Sequence, residues 1–564
     1  MYEVVTDAAI QALSHSFGLT NALLDWHRPQ DHAHGDISTA AALRLSRQVG
    51  KSPQEMAQVL CGALSKLPDV ERAEVAGPGY VNVWLTPTAL LRELSRAREA
   101  CTAKVKRKEP PVVIDYSAPN IAKPLGIHHI LSTVIGQSLA NLYRHQGYEV
   151  IGINHLGDWG TQFGKLAVAV QKWGEKPLAE CSLDDLLALY VRFHDEVESD
   201  TSLENQARGA FKKIEEGDTK LRAFWKEVVR ITVEALERLY ERLHVSFDYS
   251  HGESFYEDKM QPIIEEGKKK SVFAEGEEGA LVVRFPEESQ LSPAIVLKAD
   301  DATIYLTRDL ATARYRIDTF HPQKILYVVD VAQQYYFKQL FATLKQLGWD
   351  LPELEHIVFG RMSFKDKKMS TRKGNILRLE HVLDEAVVRA REVIAEHEGH
   401  IQTDDADTLA EMMGVGSVVY GVLSQNRKMD MVFDWGKMLS FEGNSAPYLQ
   451  YTHARAHSVL RKADADGAEF PAFVEELAGK ERGLAQSLLE FARVLEEARA
   501  GHMPHILANY LFQLCQDFNA FYNDVRILEA EGPVRSLRLA LTQCTAAVLK
   551  TGAELLTIRV PDRM

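Results

Sequence analysis

The feature that most constrains the fold is a strand, a helix and a second strand that follow one another between residues 112 and 154. Val112–Tyr116 and Glu149–Asn154 are short apolar runs, and the residues from about 127 to 144 between them have helical periodicity. A unit of this kind predicts two parallel strands of one sheet. Further apolar strands are expected at Ile325–Val329 and Ile357–Phe359. We therefore predict an α/β fold with a parallel sheet.

Three loops follow the carboxyl ends of these predicted elements, at residues 117–129, 154–164 and 365–375. Open parallel sheets bind ligands at the carboxyl ends of their strands, where the strand order reverses. A phosphate at the helix start near residues 126–129 would also be favoured by the helix dipole. The three loops together indicate a nucleotide-binding site.

The third loop contains the sequence Lys-Lys-Met-Ser-Thr-Arg-Lys-Gly-Asn at residues 367–375. Its cations, hydroxyls and backbone N–H groups could all reach the oxygens of a polyphosphate. An isolated basic cluster is more often a solvated turn, so the cluster alone leaves both interpretations open.

Composition excludes several other classes of protein. The chain of 564 residues is 46% hydrophobic and 26% charged, and its net charge of −14 argues against general nucleic-acid binding through charge. No apolar run of about 18 residues predicts a membrane span, and the first residues have no secretory pattern. The five cysteines are scattered without zinc or redox spacing, which is typical of a reducing compartment. We expect a cytoplasmic protein.

The pattern along the chain predicts three domains. Residues 1–108 read as a small α/β module, with helices at Ala8–Phe17 and Thr39–Leu64 and a hairpin at Val70–Leu85. Residues 109–440 hold the parallel sheet, with a helical insertion at about 162–245. Residues 441–564 read almost entirely as amphipathic helix.

Six blocks, in this order, resemble the class I aminoacyl-tRNA synthetases, and specifically the arginyl-tRNA synthetase family. They are Ser-Ala-Pro-Asn-Ile-Ala-Lys-Pro at 117–124, Asn-His-Leu-Gly-Asp-Trp-Gly-Thr-Gln-Phe-Gly at 154–164, Tyr-Leu-Thr-Arg-Asp at 305–309, Tyr-Val-Val-Asp at 327–330, Lys-Met-Ser-Thr-Arg-Lys-Gly-Asn at 368–375 and Phe-Glu-Gly-Asn-Ser-Ala-Pro-Tyr-Leu-Gln-Tyr at 441–451. The resemblance covers essentially the whole chain. It implies a Rossmann-like catalytic domain between a tRNA-contacting N-terminal domain and an all-α anticodon-binding domain.

The resemblance also implies the reaction and its participants. Arginine and ATP, the latter with Mg²⁺, would form arginyl-adenylate, and the arginyl group would then pass to the 3′ end of tRNA-Arg. Activation of arginine would wait for tRNA. The protein would be a monomer without a zinc site. Positioning and electrostatic stabilisation of the phosphates should dominate catalysis.

Site residues follow by matching the family's motifs. The catalytic positions are Lys123, His128, His129, Lys368, Ser370, Arg372 and Lys373. The ATP positions are Pro119, Gly126, His128, His129, Met369, Ser370 and Thr371. The arginine positions are Asp115, Asn120, His155, Tyr305, Asp309 and Gln333. A pocket that reads the planar guanidinium fork should reject lysine, whose single ammonium would leave buried acceptors unpaired. Without the family, residues 305–309 read equally well as a strand edge that ends in an aspartate. His155 reads more readily as a structural histidine than as a ligand.

One segment departs from the family. The family's signature is His-x-Gly-His, whereas this chain has Gly126-Ile127-His128-His129-Ile130-Leu131. Loss of one transition-state donor typically costs about 10²–10³ in rate, but His128 could reach the phosphates from its neighbouring position. Two hypotheses stay open: an active arginine–tRNA ligase, and an impaired protein that still binds arginine or tRNA. A nucleotidyltransferase for a small metabolite is a third, which the long helical C-terminal region argues against.

The resemblance also places tRNA contacts in the C-terminal domain. Tyr448, Tyr451 and Met564 match family positions near the anticodon. Exposed aromatic rings can stack on unpaired bases. The alternative is that the two tyrosines belong to the apolar core.

Overall fold

The computed structural model of the protein describes residues 3–29, 34–102, 106–276, 279–300, 303–364, 377–396, 401, 403, 405–465 and 467–564. None of the described helices is long and apolar enough to cross a membrane.

The N-terminal region packs helices on a small antiparallel sheet. Its elements are α1 (Glu3–Phe17), β1 (Ile37–Thr39), α2 (Ala41–Val49), α3 (Pro53–Leu64), β2 (Val70–Ala76), β3 (Tyr80–Leu85) and α4 (Pro87–Thr102), with strand order β1-β3-β2. The predicted hairpin is confirmed. The predicted helix over Thr39–Leu64 is wrong at its start, because Thr39 pairs with Val81 in the sheet. Its interruption is confirmed: α2 ends at Val49, and the next residue, Gly50, adopts φ 65°, a conformation that favours glycine.

The central region is built on a four-stranded parallel sheet in the order β10-β9-β4-β5. Its first elements are β4 (Val112–Asp115), α5 (His129–His145) and β5 (Val150–Ile153), so the predicted strand–helix–strand unit is confirmed. The helical insertion comprises α6 (Thr161–Trp173), α7 (Leu183–Val197), α8 (Ser202–Glu215) and α9 (Thr219–Leu243). A second small antiparallel sheet follows, with α10 (Met260–Lys269), β6 (Phe273–Glu275), β7 (Leu281–Val283) and β8 (Ala294–Leu297).

The chain then returns to the parallel sheet. The next elements are α11 (Tyr305–Phe320), β9 (Lys324–Asp330), α12 (Gln334–Gln346), β10 (Glu353–Phe359), β11 (Met362–Phe364), α13 (Leu379–Glu396), α14 (Ala406–Leu423), β12 (Met431–Phe433) and α15 (Trp435–Met438). Apolar residues of β4 and β9, among them Val113 and Ile325, are fully buried. Burial on both faces explains why these strands read as continuous apolar runs in the sequence.

The C-terminal region is a helical bundle, as predicted. It comprises α16 (Ala446–Ala463), α17 (Gly479–Leu489), α18 (Phe491–Ala500), α19 (Pro504–Asp524) and α20 (Gly532–Leu555). It docks on the central region through Tyr143, whose hydroxyl lies 2.8 Å from His502 Nε2. It docks on the N-terminal region through Arg482, whose Nη2 lies 2.8 Å from the buried carboxylate of Asp36.

Candidate functional site

The order of the sheet creates a crevice at the carboxyl ends of β4 and β9. Strand β4 pairs with β5 on one side and with β9 on the other. The chain therefore leaves β4 toward one edge of the sheet and later returns on its opposite side, and this reversal opens a ligand site. The two strands end at Asp115 and Asp330, so two carboxylates lie at the mouth of the crevice.

The loop that follows β4 has an unusual backbone. Ser117, Ala118 and Ala122 adopt φ values of 72°, 48° and 62°, a region that non-glycine residues rarely enter and that clusters at functional sites. Side-chain oxygens from three elements accept the N–H groups of these residues, at 3.0 Å from Ser132, 3.1 Å from Asn154 and 3.1 Å from Thr232. The surrounding structure thus holds the loop in a shape that its own residues disfavour.

Two histidines begin α5 at this crevice. His129 Nδ1 lies 2.9 Å from the Gly126 nitrogen and 3.2 Å from the Gly126 carbonyl oxygen, so the Gly126 backbone holds the ring at this nitrogen. Burial and the neighbouring His128 lower the pKa of His129 to about 4, which keeps this ring neutral. His128 is exposed, with its ring centre 4.1 Å from that of His129. Burial lowers the pKa of His128 although the nearby Asp330 opposes the shift.

The start of α5 is tied to the segment that follows the Lys-rich loop. Ile127 N–H donates to Leu377 O, and Leu379 N–H donates to Leu125 O, both at 2.8 Å. The predicted clamp residues Lys368, Met369, Ser370, Thr371, Arg372 and Lys373 lie outside the described residues. The backbone pairing brings Leu377, the first described residue after them, to the helix start.

Beside the crevice lies a pocket in which charges are buried together. Arg316 is completely buried, and its Nη2 lies 2.7 Å from Asp115 Oδ2. Burial lowers the pKa of His155 to about 4, opposed by Asp115 and reinforced by Arg316 and Arg308. His155 is therefore neutral, and Asp115 already has a cationic partner before any ligand binds.

Two further carboxylates in this pocket have perturbed acidities. Burial raises the pKa of Asp309 to about 6, although the hydroxyl of Tyr336 donates to it. Burial raises the pKa of Glu253 to about 7, although Arg308 Nη1 lies 2.9 Å away. Carboxylates that resist ionisation in a cleft are typical of a site that awaits a cation.

The structure corrects the prediction for residues 305–309. They form the first turn of α11, not the edge of a strand. Thr307 Oγ1 donates to Val296 O, and Leu306 is buried, so tertiary packing determines the helix start. The helix leaves Tyr305 72% exposed and turns Asp309 toward Tyr336.

The other predicted positions lie on the loop after β4 and in the turn after β9. Pro119 is buried, and its carbonyl accepts the Gly157 N–H at 2.9 Å. Asn120 and Gln333 are exposed, the second at the turn after β9. Lys123 is also exposed, and its Nζ lies 5.4 Å from the centre of the Tyr190 ring on α7. Cation–π attraction operates at this distance.

The predicted tRNA residues lie in the C-terminal region and are half-buried. Tyr448 and Tyr451 share α16, and the Tyr448 hydroxyl accepts from Asn519 Nδ2 at 3.0 Å. The Arg455 guanidinium lies 4.7 Å from the Tyr451 ring centre. Met564 packs on an apolar cluster that Phe441 also contacts.

Comparisons with known proteins cover the whole chain. Residues 91–435 match the family described as "tRNA synthetases class I (R), catalytic domain", residues 449–564 match the "DALR anticodon binding domain", and residues 3–85 match the "Arginyl tRNA synthetase N terminal domain". The chain belongs to the arginyl-tRNA synthetase family.

Individual relatives of this family agree. The chain is 39% identical to an arginine–tRNA ligase of Fusobacterium nucleatum, over 94% of this chain and 93% of that protein. It is 40% identical to an arginine–tRNA ligase of Exiguobacterium sibiricum, over 95% of each. Among solved structures, Thermus thermophilus arginyl-tRNA synthetase matches with a TM-score of 0.84, 25% identity and full coverage of both chains. The Plasmodium falciparum arginyl-tRNA synthetase matches the fold with a TM-score of 0.83 at 20% identity, over 100% of this chain and 99% of that one.

Sequence reasoning assigned no individual role to several charged or polar residues of the crevice and the pocket, namely Glu253, Arg308, Arg316, Asp330 and Tyr336. Arg316 lies seven residues after Asp309, a spacing that shares one helix face. A helical reading of residues 305–320 would have found it. Glu253 and Tyr336 reach the site only through long-range folding, so no pattern in the sequence around them indicates that they belong to it.

Proposed function

We propose that the protein is an active arginine–tRNA ligase that uses ATP and tRNA-Arg. The observation that carries this proposal is the match of all three regions of the chain to arginyl-tRNA synthetases, in one order and over nearly the full length. An enzyme that activates a small metabolite would not need a C-terminal domain of the anticodon-binding family.

We assign ATP to the crevice between β4 and the start of α5. His129, in the tautomer with its proton on Nε2, would donate to a phosphate oxygen, and exposed His128 would act as a second donor. Lys123 and the residues at 368–373 would contribute the positive charge of the clamp. Mg²⁺ enters with the nucleotide, whose phosphates supply much of its coordination. The carboxylate of Asp330 is close enough to His128 to oppose the lowering of the pKa of that ring.

We assign the arginine side chain to the pocket of Asp309 and Glu253. Burial opposes the ionisation of these two carboxylates. A bound guanidinium would pair with them and so offset part of the free energy that their ionisation requires. Asp115 and Asn120 would hold the backbone end of the amino acid, with His155 beside them. Tyr305 and Gln333 would complete the pocket from its exposed rim. Lysine cannot satisfy two separated acceptors in one plane.

We assign the tRNA to the helical C-terminal region and the N-terminal module. Tyr448, Tyr451 and Met564 would lie near the anticodon, where aromatic rings can stack on bases. As parts of the same proposal, the enzyme works as a monomer in the cytoplasm, with residues 1–108, 109–440 and 441–564 as its domains and residues 162–245 as an insertion.

The altered signature does not lead us to favour an impaired protein. The neighbouring loop is fully braced, and His129 makes its bond to Gly126. Leu131, which stands at the family's arginine position, is 4% exposed and belongs to the apolar core. A buried arginine there would be costly, so a test variant should leave Leu131 unchanged.

The test is arginine-dependent exchange of pyrophosphate into ATP, with and without tRNA, by the unaltered chain and by a Gly126→His/His128→Gly variant. We expect exchange by the unaltered chain when tRNA is present, and none with lysine. Silence of the unaltered chain with recovery in the variant would favour the impaired binding protein. Silence of both would contradict the assignment of arginine.

A further inference from the structure

The C-terminal region contains a cluster of three potential metal ligands far along the chain from the crevice. His453 and His457 lie one turn apart on α16, with ring centres 4.5 Å apart, and the terminal segment brings Asp562 to them. One nitrogen of each ring and one oxygen of the carboxylate all lie within 4.8 Å of one another. His457 Nε2 lies 3.7 Å from Asp562 Oδ1.

The ring of His453 has one nitrogen bonded and one left without a partner. Its Nδ1 lies 2.8 Å from Pro561 O, a carbonyl that can only accept, so Nδ1 carries the proton and the lone pair lies on Nε2. Nε2 is buried and makes no hydrogen bond to any described residue. Burial lowers the pKa of His453 to about 4, so the ring is neutral near pH 7. A neutral imidazole whose other N–H is held by a backbone carbonyl is the form that binds metals.

We propose that His453, His457 and Asp562 form a divalent-cation site suited to Zn²⁺. Two imidazoles and a carboxylate are ligands that zinc accepts, with water in the fourth position. In a tetrahedral zinc site with bonds of about 2.1 Å, ligand atoms lie about 3.4 Å apart. The ligand atoms here lie within 4.8 Å of one another, so binding needs them to close by up to about 1.4 Å. His457 is half-buried and Asp562 is exposed, so both side chains have room to move.

The site would clamp the terminal segment onto α16. Arg461 Nη1 donates to Asp562 O at 2.8 Å, and Gln450 Nε2 donates to Arg559 O at 2.9 Å, so this segment is already docked. A cation between α16 and Asp562 would add a bond through side chains to these backbone contacts. This site stands independently of the proposed ligase activity. The resemblance implied no zinc site, and the cysteine spacing examined in the sequence does not bear on a site made of histidines and an aspartate.

The test is Zn²⁺ binding by the full chain after removal of metals with a chelator. Equilibrium dialysis followed by metal analysis should find one equivalent of Zn²⁺ that His457→Ala binds at least 100-fold more weakly, since loss even of an outer partner costs about 10–100-fold. His381→Ala, which alters an exposed histidine on α13, is the matched control and should bind like the unaltered chain. Equal binding by His457→Ala and the unaltered chain, or no binding by either, would overturn the proposal.

Hydrogen exchange gives an independent readout of the clamp. Zn²⁺ should slow amide exchange at least threefold in residues 557–564 of the unaltered chain and of His381→Ala, and should leave it unchanged in His457→Ala. Equal slowing in all three proteins would show that zinc acts elsewhere, for example at the half-buried Cys181, and would refute the assignment. No slowing in the unaltered chain would refute the clamp.

Discussion

Replacing Arg316 by methionine tests the charge balance on which the amino-acid pocket depends. The guanidinium has no exposure to solvent, and Asp115 is 7% exposed. Without Arg316 the carboxylate of Asp115 would remain buried without its cationic partner. Breaking a buried pair in this way costs about 3–5 kcal/mol, far more than the pair itself contributes.

The size of the effect can be expressed as a melting temperature. Unfolding entropy of about 2.1 cal/mol/K per residue, applied to the catalytic region at 91–435, converts this loss into a fall of about 4–7 °C. Differential scanning calorimetry of the full chain would measure it. Asp115→Asn combined with Arg316→Met should recover at least half of the loss, because the pair is then neutral.

The matched control lies on the same helix. Arg314 pairs with Asp318 at 2.7 Å, with 39% and 53% of the two side chains exposed, and its guanidinium lies 5.0 Å from the centre of the Trp349 ring. Because a partly exposed ion pair and a cation–π contact each contribute little, Arg314→Met should cost about 1.5 kcal/mol or less, which is about 2 °C or less on the same scale. A loss for Arg316→Met no greater than that of Arg314→Met, or no recovery in the double variant, would refute the reasoning.

Three further outcomes are expected. Asp309 must be ionised to accept a guanidinium, and burial raises its pKa to about 6. The KM for arginine in exchange assays should therefore rise as pH falls through 6, and Asp309→Asn should bind arginine poorly at every pH. A KM independent of pH would contradict this role. Thr232→Val removes the acceptor of the Ala122 N–H and should lower the free energy of unfolding by about 1–3 kcal/mol. The melting temperature should fall accordingly, and Thr232→Ser should restore it. An unchanged melting temperature in Thr232→Val would contradict the role of Thr232 in holding the loop. Tyr190→Leu should slow exchange about two- to fivefold by releasing Lys123, since an exposed cation–π contact contributes about 0.5–1 kcal/mol. Tyr190→Phe keeps an aromatic ring and should keep the rate. Equal rates for the two variants would exclude a role for this contact.

The parallel sheet could be predicted because its central strands, β4 and β9, are largely buried on both faces. Val112–Asp115 and Val150–Ile153 then carry an apolar run without alternation, and the helix between them has its own period. The hairpin at residues 70–85 was equally local, since glycine-rich turn residues separate two alternating strands.

The pocket could be predicted only in part, because its charges meet through long-range packing. Asp309 came from a motif, but the residues around it read as a strand, and its helical start depends on contacts to Val296. Glu253 lies 55 residues from its partner Arg308, a distance along the chain at which no local pattern indicates contact. The backbone strain at Ser117 and Ala118 was invisible for the same reason, since the oxygens that hold it come from α5 and the end of β5.

The measurement that tests the central claim most directly is ATP-dependent charging of tRNA-Arg with labelled arginine by the full chain. We predict that arginine becomes attached to tRNA-Arg, that labelled lysine does not, and that tRNA-Lys is left uncharged with either amino acid. If the folded protein binds tRNA-Arg but attaches no amino acid to it, the account is contradicted.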